Sequence, residues 1–221
     1  MKKKLQKYIF SLFLTLYAIA NSVPFVYASA SIDSSSNGSG TTSFSWSHTV
    51  SGTNTILFLF LHRTADQSNG ATYNGVNMTY LTSGGPTTDM YLIFYMINPP
   101  TGAHTLAVTA NFGDTKNCIG VSLNGVIQSV PTIYGAGTSA VTLTTISNNS
   151  IMLSSGGSVT AGSNTSLVNS SGSVGAFKSN PLLITPAGSK TLNMTGASNS
   201  VGIVIPTIAT ASFSWWYFNT F

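Results

Sequence analysis

Apolar and polar positions along this chain follow two patterns, and both belong to strands. Phe44, Trp46 and His48 alternate with Ser45, Ser47 and Thr49, the period of two expected of a strand with one buried face. His104-Thr105-Leu106-Ala107-Val108-Thr109 resumes that alternation. Between them, Ile56 to Leu61 and Met90 to Ile97 are almost wholly apolar, which predicts central strands covered on both faces. The punctuation is equally legible. Tyr73-Asn74-Gly75-Val76 places Asn-Gly between strand-like residues, a tight-hairpin signal. Asn98-Pro99-Pro100-Thr101-Gly102 ends a strand because consecutive prolines donate nothing to a ladder. Cys118 to Val126 is a further strand, interrupted by Asn124-Gly125.

The second half repeats the first in the same order. Asn149-Ser150-Ile151-Met152-Leu153 echoes Asn54-Thr55-Ile56-Leu57-Phe58. The run Gly188 to Thr195 echoes Gly102 to Thr109, and Val201-Gly202-Ile203 echoes Ile119-Gly120-Val121. Nothing of helical period follows the N-terminal segment. The expected fold is all-β, a two-sheet antiparallel β-sandwich of jelly-roll or Greek-key type with pseudo-duplicated halves and about ten to twelve strands.

Composition narrows this little. Only 5% of residues are charged and 43% are hydrophobic, so the surface is wetted by Ser, Thr, Asn and Gly while the apolar content is that of a folded domain. The formal charge of +4 is local: Lys2, Lys3, Lys4 and Lys7 lie at the N-terminus, and downstream four bases balance four Asp. No basic stripe for nucleic acid follows. The lysine-rich start, the apolar run Tyr8 to Ala20 and the small residues Ala28-Ser29-Ala30 have the layout of a secretory signal over residues 1–30, cleaved after Ala30 or Ala28. If uncleaved, it is the chain's one membrane contact. Residues 31–42 read as a flexible polar lead, and 43–221 as a single domain. The expected location is secreted or cell-surface. A single cysteine, Cys118, excludes an internal disulfide.

The motifs Asn54-Thr-Ile-Leu57, Thr72-Tyr-Asn-Gly-Val76, Tyr95 to Gly102 and His104-Thr-Leu-Ala-Val-Thr109 resemble, over residues 40–210, an uncharacterised jelly-roll-like β-sandwich module of bacterial exported and phage or metagenomic structural proteins. Phe94-Tyr95 stands where a tryptophan is frequent in that module. The resemblance implies a fold and a surface role; it carries no catalytic residue.

Candidate chemistry is sparse. Glycoside hydrolysis needs paired carboxylates; the chain has four Asp and no Glu, leaving a weak hydrolase on two of Asp66, Asp89 and Asp114 as the least favoured reading. No G-x-S-x-G elbow is present. His48, His62 and His104 lack metal-site spacing, so no metal is expected beyond a weak structural calcium at Asp66 and Asn69. The C-terminal Trp215, Trp216, Tyr217 and Phe218, with Trp46, are the ligand candidates, because aromatic faces stack on sugar C–H surfaces as they stack on one another. These features point to a non-enzymatic, exported surface or virion-associated interaction module, carbohydrate-binding or adhesive, with a glycan or protein surface as partner and no cofactor. A structural subunit of a surface layer, filament or phage tail, self-associating as a homo-oligomer, is the alternative.

Overall fold

The computed structural model describes residues 29–64, 70–110, 115–157 and 160–208. Among these are sixteen strands, all paired antiparallel: β1 (Ser31–Gly40), β2 (Phe44–Val50), β3 (Ile56–Arg63), β4 (Gly70–Tyr73), β5 (Val76–Asn77), β6 (Thr79–Gly84), β7 (Met90–Ile97), β8 (Gly102–Thr109), β9 (Lys116–Asn124), β10 (Ile133–Gly137), β11 (Ala140–Thr145), β12 (Ile151–Gly156), β13 (Thr165–Ser171), β14 (Val174–Ser179), β15 (Gly188–Asn193) and β16 (Ser200–Ile205). They form two large sheets, ordered β1-β9-β3-β7-β6 and β10-β16-β12-β14-β13, and two smaller covers, β2-β8-β4-β5 and β11-β15.

The continuous apolar runs are explained by what lies on each side of them. Ile56, Phe58 and Phe60 of β3, with Ile93 of β7 and Val121 of β9, face Leu153, Ala176 and Ile203 of the other large sheet. Leu57, Leu59 and Leu61 point the opposite way, onto Leu106 and Val108 of the first cover. Met152, Phe177 and Val204 likewise turn from the central core to Val141 and Leu192 of the second cover. The order of layers is cover, large sheet, large sheet, cover. The antiparallel sandwich class and the duplicated halves stand, while the count of two sheets becomes four: each half is itself a two-sheet sandwich, and the two lie back to back.

The duplication holds strand by strand. β1, β2, β3, β6, β7, β8 and β9 correspond to β10, β11, β12, β13, β14, β15 and β16, in the same sheet order. Register agrees: Phe58 opposes Val121 as Leu153 opposes Ile203, and His48 opposes His104 as Leu143 opposes Lys190. Asn54 and Asn149, which precede the two central strands, both have left-handed φ, 51° and 62°. Between the large sheets β1 lies against β13 and β6 against β10, and β9 meets β14 as β7 meets β16. Each contact thus has a counterpart with the halves exchanged, as in the isologous interface of a two-fold dimer.

The lead expected over 31–42 is corrected by β1. Its residues pair from Ser31 with Asn124 to Gly40 with Lys116, at the sheet edge. Ser and Gly suit it because the ring of Trp46 covers Gly38 and that of Phe44 covers Gly40, where a Cβ would meet ring carbons at 2.5 Å and 2.7 Å. A tether composition is here the imprint of two aromatic side chains lying on backbone. Residues 1–28, including most of the expected signal, lie outside the described residues; Ala30 is buried in the central core.

Candidate functional site

Most residues nominated from sequence fall outside the described part: Trp215, Trp216, Tyr217 and Phe218 at the C-terminus, and the calcium candidates Asp66 and Asn69. Trp46 is described and is partly buried. Its ring stacks on Phe44 at 5.6 Å, lies over Gly38, and donates its Nε1 hydrogen to Ser36 Oγ at 2.9 Å. Among the described residues no group of three or more His, Cys or Asp is placed to hold a metal ion.

The duplicated halves supply an internal comparison that replaces guesswork about which polar groups are needed for the fold. Three places differ between them.

The first is a buried chain of hydrogen bonds where β1 and β2 meet. Asp33 Oδ2 accepts from Ser122 Oγ at 2.9 Å, and the Ser122 and Ser34 hydroxyls lie 2.9 Å apart. Ser34 Oγ reaches His48 Nε2 at 3.2 Å, and His48 Nδ1 meets Ser36 Oγ at 2.7 Å. Ser34 Oγ also donates to the Thr49 carbonyl. His48 is fully buried, and desolvation pushes its pKa down to about 4, partly opposed by Asp33, so the ring is neutral at pH 7. Burial alone would raise the Asp33 carboxyl; hydrogen bonds from Ser51 and Ser122, with His48 nearby, hold it below its ordinary value. The corresponding residues of the second half are apolar: Ile133, Gly135, Leu143 and Val204 stand where the first has Ser34, Ser36, His48 and Ser122. The arrangement fastens two edge strands, and its imidazole has no access to a substrate.

The second lies where the halves meet, at the end of β3. Asp89 accepts from His62 Nε2 at 2.8 Å, Asn199 Nδ2 at 2.6 Å and Ser198 Oγ at 3.0 Å. These bonds hold its carboxyl below the usual range despite the opposing effect of burial. Tyr91 hydrogen-bonds the same carboxylate and stacks on His62 at 4.7 Å; burial and the Asp89 charge raise its phenol. Asp89 is therefore saturated with donors. It stands as a tie between the halves; Asp66 and Asp114, its sequence-nominated carboxylate partners, lie outside the described residues, and His62 Nδ1 is buried without a hydrogen-bond partner.

The third is a groove of about 170 Å³ in the second half, alongside β15. Leu192 and Ile184 form its floor, Pro181 one wall, and Asn164, Asn180 and Lys190 present amide and ammonium groups to it. Thr185 and Thr191 complete the lining, their hydroxyls hydrogen-bonded to Asn149 Oδ1 and Thr142 Oγ1. The groove exists because the connection from β14 to β15, Asn180 to Ala187, is longer than its counterpart Asn98 to Thr101, and because β15 has no strand beyond it whereas β8 is flanked by β4. Reading one half against the other, Lys190 falls under His104, a change of charge at an otherwise conserved echo. That comparison was open to the sequence.

The fold and these sites define an antiparallel all-β sandwich protein, built as two back-to-back sandwiches, with a small polar groove on one of them. Compared with protein-family models and with curated proteins, the sequence matches none.

Proposed function

We propose that this protein is a non-enzymatic interaction module, exported and displayed on a cell or virion surface, that recognises carbohydrate through the groove beside β15. With cleavage after Ala28, the buried Ala30 stays in the core. The carrying observation is the lining: Asn164, Asn180 and Lys190 beside the buried Leu192 and Ile184. A sugar offers the complementary set, hydroxyls around its rim and C–H groups on its face. At about 170 Å³ the groove is smaller than the roughly 300–1,000 Å³ of sites for drug-sized ligands, so it suits one sugar residue with affinity near millimolar. Useful adhesion then requires many copies presented together.

The test is a glycan array probed with the protein multimerised on beads, beside an Asn180→Trp variant. Asn180 is exposed, so the indole fills the groove without disturbing the core. Retention of particular glycans by the native protein, lost in the variant at unchanged melting temperature, is the expected result. Absence of retention, or retention indifferent to Asn180→Trp, removes the groove from the function.

A further inference from the structure

The two halves differ most informatively at one side chain. In the first half β4 pairs with β8, and Tyr73, opposite Leu106, is wholly buried with its ring perpendicular to that of His104, the centroids 5.6 Å apart. The Asn74 N–H that follows donates to the Thr105 carbonyl at 2.9 Å. In the second half, residues 160–163 retrace the path of β4. Ala161 bridges Met194 as Ala71 pairs with Val108, and Asn164 repeats the left-handed turn of Asn74, with φ 58° against 51°. Where β4 has Tyr73, however, this segment has Ser163, and Ser163 is exposed. The residues around the vacated position are Asn164, Lys190, Thr191 and Leu192, the counterparts of Asn74, His104, Thr105 and Leu106, and all four line the groove. Part of the groove wall is thus made of the counterparts of residues that surround the Tyr73 ring in the first half, where the second half supplies no ring of its own.

We propose that this seat takes a single sugar residue bearing a carboxylate, its ring in the place of the Tyr73 phenol and its carboxylate on the Lys190 ammonium. This rests on the carbohydrate reading above and narrows it. Lys190 is the one charged residue lining the groove and forms no ion pair among the described residues, where the only one joins His62 to Asp89. A charge-assisted bond to an anion is about twice as strong as a neutral one. One ammonium matches the single charge of a carboxylate; a phosphate monoester carries about −1.5 to −2. The lysine replaces the histidine whose ring lies 5.6 Å from that of Tyr73, so its long side chain starts beside the ring position, within reach of a carboxylate carried on the sugar. Leu192 and Ile184 remain beneath for the C–H face.

The experiment is titration of the intact protein, followed by NMR, with methyl glucuronide, methyl galacturonide and N-acetylneuraminic acid, against methyl glucoside and sodium acetate, with native protein and Lys190→Met. At least one acidic sugar is expected to bind ten times or more as tightly as methyl glucoside, and Lys190→Met to erase that difference while leaving the melting temperature unchanged. Equal binding of acidic and neutral sugars, insensitive to Lys190→Met, overturns the carboxylate assignment and leaves the carbohydrate reading in place. Acetate binding as well as the acidic sugars overturns the ring seat. Failure of every sugar here and on the array overturns both proposals.

Discussion

His48 and Leu143 occupy equivalent positions in the two halves, and exchanging them gives a test with opposite outcomes. His48→Leu removes two hydrogen bonds, each contributing about 1 kcal/mol net. Ser36 keeps the Trp46 indole and Ser34 keeps Ser122 and the Thr49 carbonyl, so no buried hydroxyl is orphaned. A leucine in place of the imidazole returns roughly 1–2 kcal/mol of apolar burial, so the net cost at pH 7 is about 0–1 kcal/mol. Leu143→His has no such compensation. Its surroundings are Gly135 and the apolar second-cover core, so it forfeits about 1.5–3 kcal/mol of burial and leaves an imidazole N–H unpaired for another ~1–3 kcal/mol.

The pH dependence sharpens the contrast. The folded pKa of His48, about 4, lies below the ordinary histidine value of 6.5, so between these values the unfolded chain binds more protons and stability rises with pH. This contribution is complete above about pH 6.5 and is lost as pH falls toward 4, amounting to about 2 kcal/mol between pH 7 and pH 5. His48→Leu is therefore expected to be level with or slightly below the native protein at pH 7 and more stable than it at pH 5. Urea denaturation followed by circular dichroism at both pH values measures this. If His48→Leu costs as much as Leu143→His, or keeps the native loss of stability between pH 7 and pH 5, the account of a neutral, hydrogen-bonded imidazole is wrong.

Three further outcomes follow from packing. Gly120→Ala puts a Cβ 2.7 Å from Leu106, and Gly202→Ala puts one 2.8 Å from Val141, so each is expected to destabilise by about 1–3 kcal/mol in the same urea assay, a matched pair of overpacking effects. Asp89→Ala strips the shared acceptor from His62, Ser198 and Asn199; because the carboxylate is partly exposed, water replaces some of it and the expected loss is about 1–2 kcal/mol. Cys118 is fully buried and its thiol is pushed up by desolvation, so it is expected to resist a thiol reagent in native protein and to react at once in 8 M urea; rapid native labelling contradicts the position of β9.

How far the sequence could be read depended on whether its pattern recorded burial. The unbroken runs of β3 and β7 betrayed two covered faces, and the echoes at Asn54/Asn149 and Gly120/Gly202 marked equivalent strands because the same backbone needs recur: a left-handed residue before the central strand and a side-chain-free patch beneath a cover. β1 was illegible because its partners lie far off, its apolar cover coming from Phe44 and Trp46 and its ladder from β9. The sixteen strands exceed the ten to twelve expected in part because β1, with the composition of a tether, reads as a lead. His48 was legible as a residue on the buried face of an alternating strand, which β2 bears out. The groove was not, since it arises from the longer connection between β14 and β15 and from the lack of a strand beyond β15, and neither shows in the periodicity of a single copy.

The back-to-back packing also sets a hazard during synthesis. β1 closes the first large sheet only when β9 has emerged, and from then the first half is a finished sandwich presenting Phe58, Phe60, Ile119 and Val121 to water until the second half arrives. The second half answers that face with smaller side chains at equivalent positions, Leu153 for Phe58 and Ser155 for Phe60, so the match is between unlike halves. A second first half would set phenylalanine against phenylalanine, and the divergence of the two copies favours closure on the chain's own second half over pairing with a neighbour.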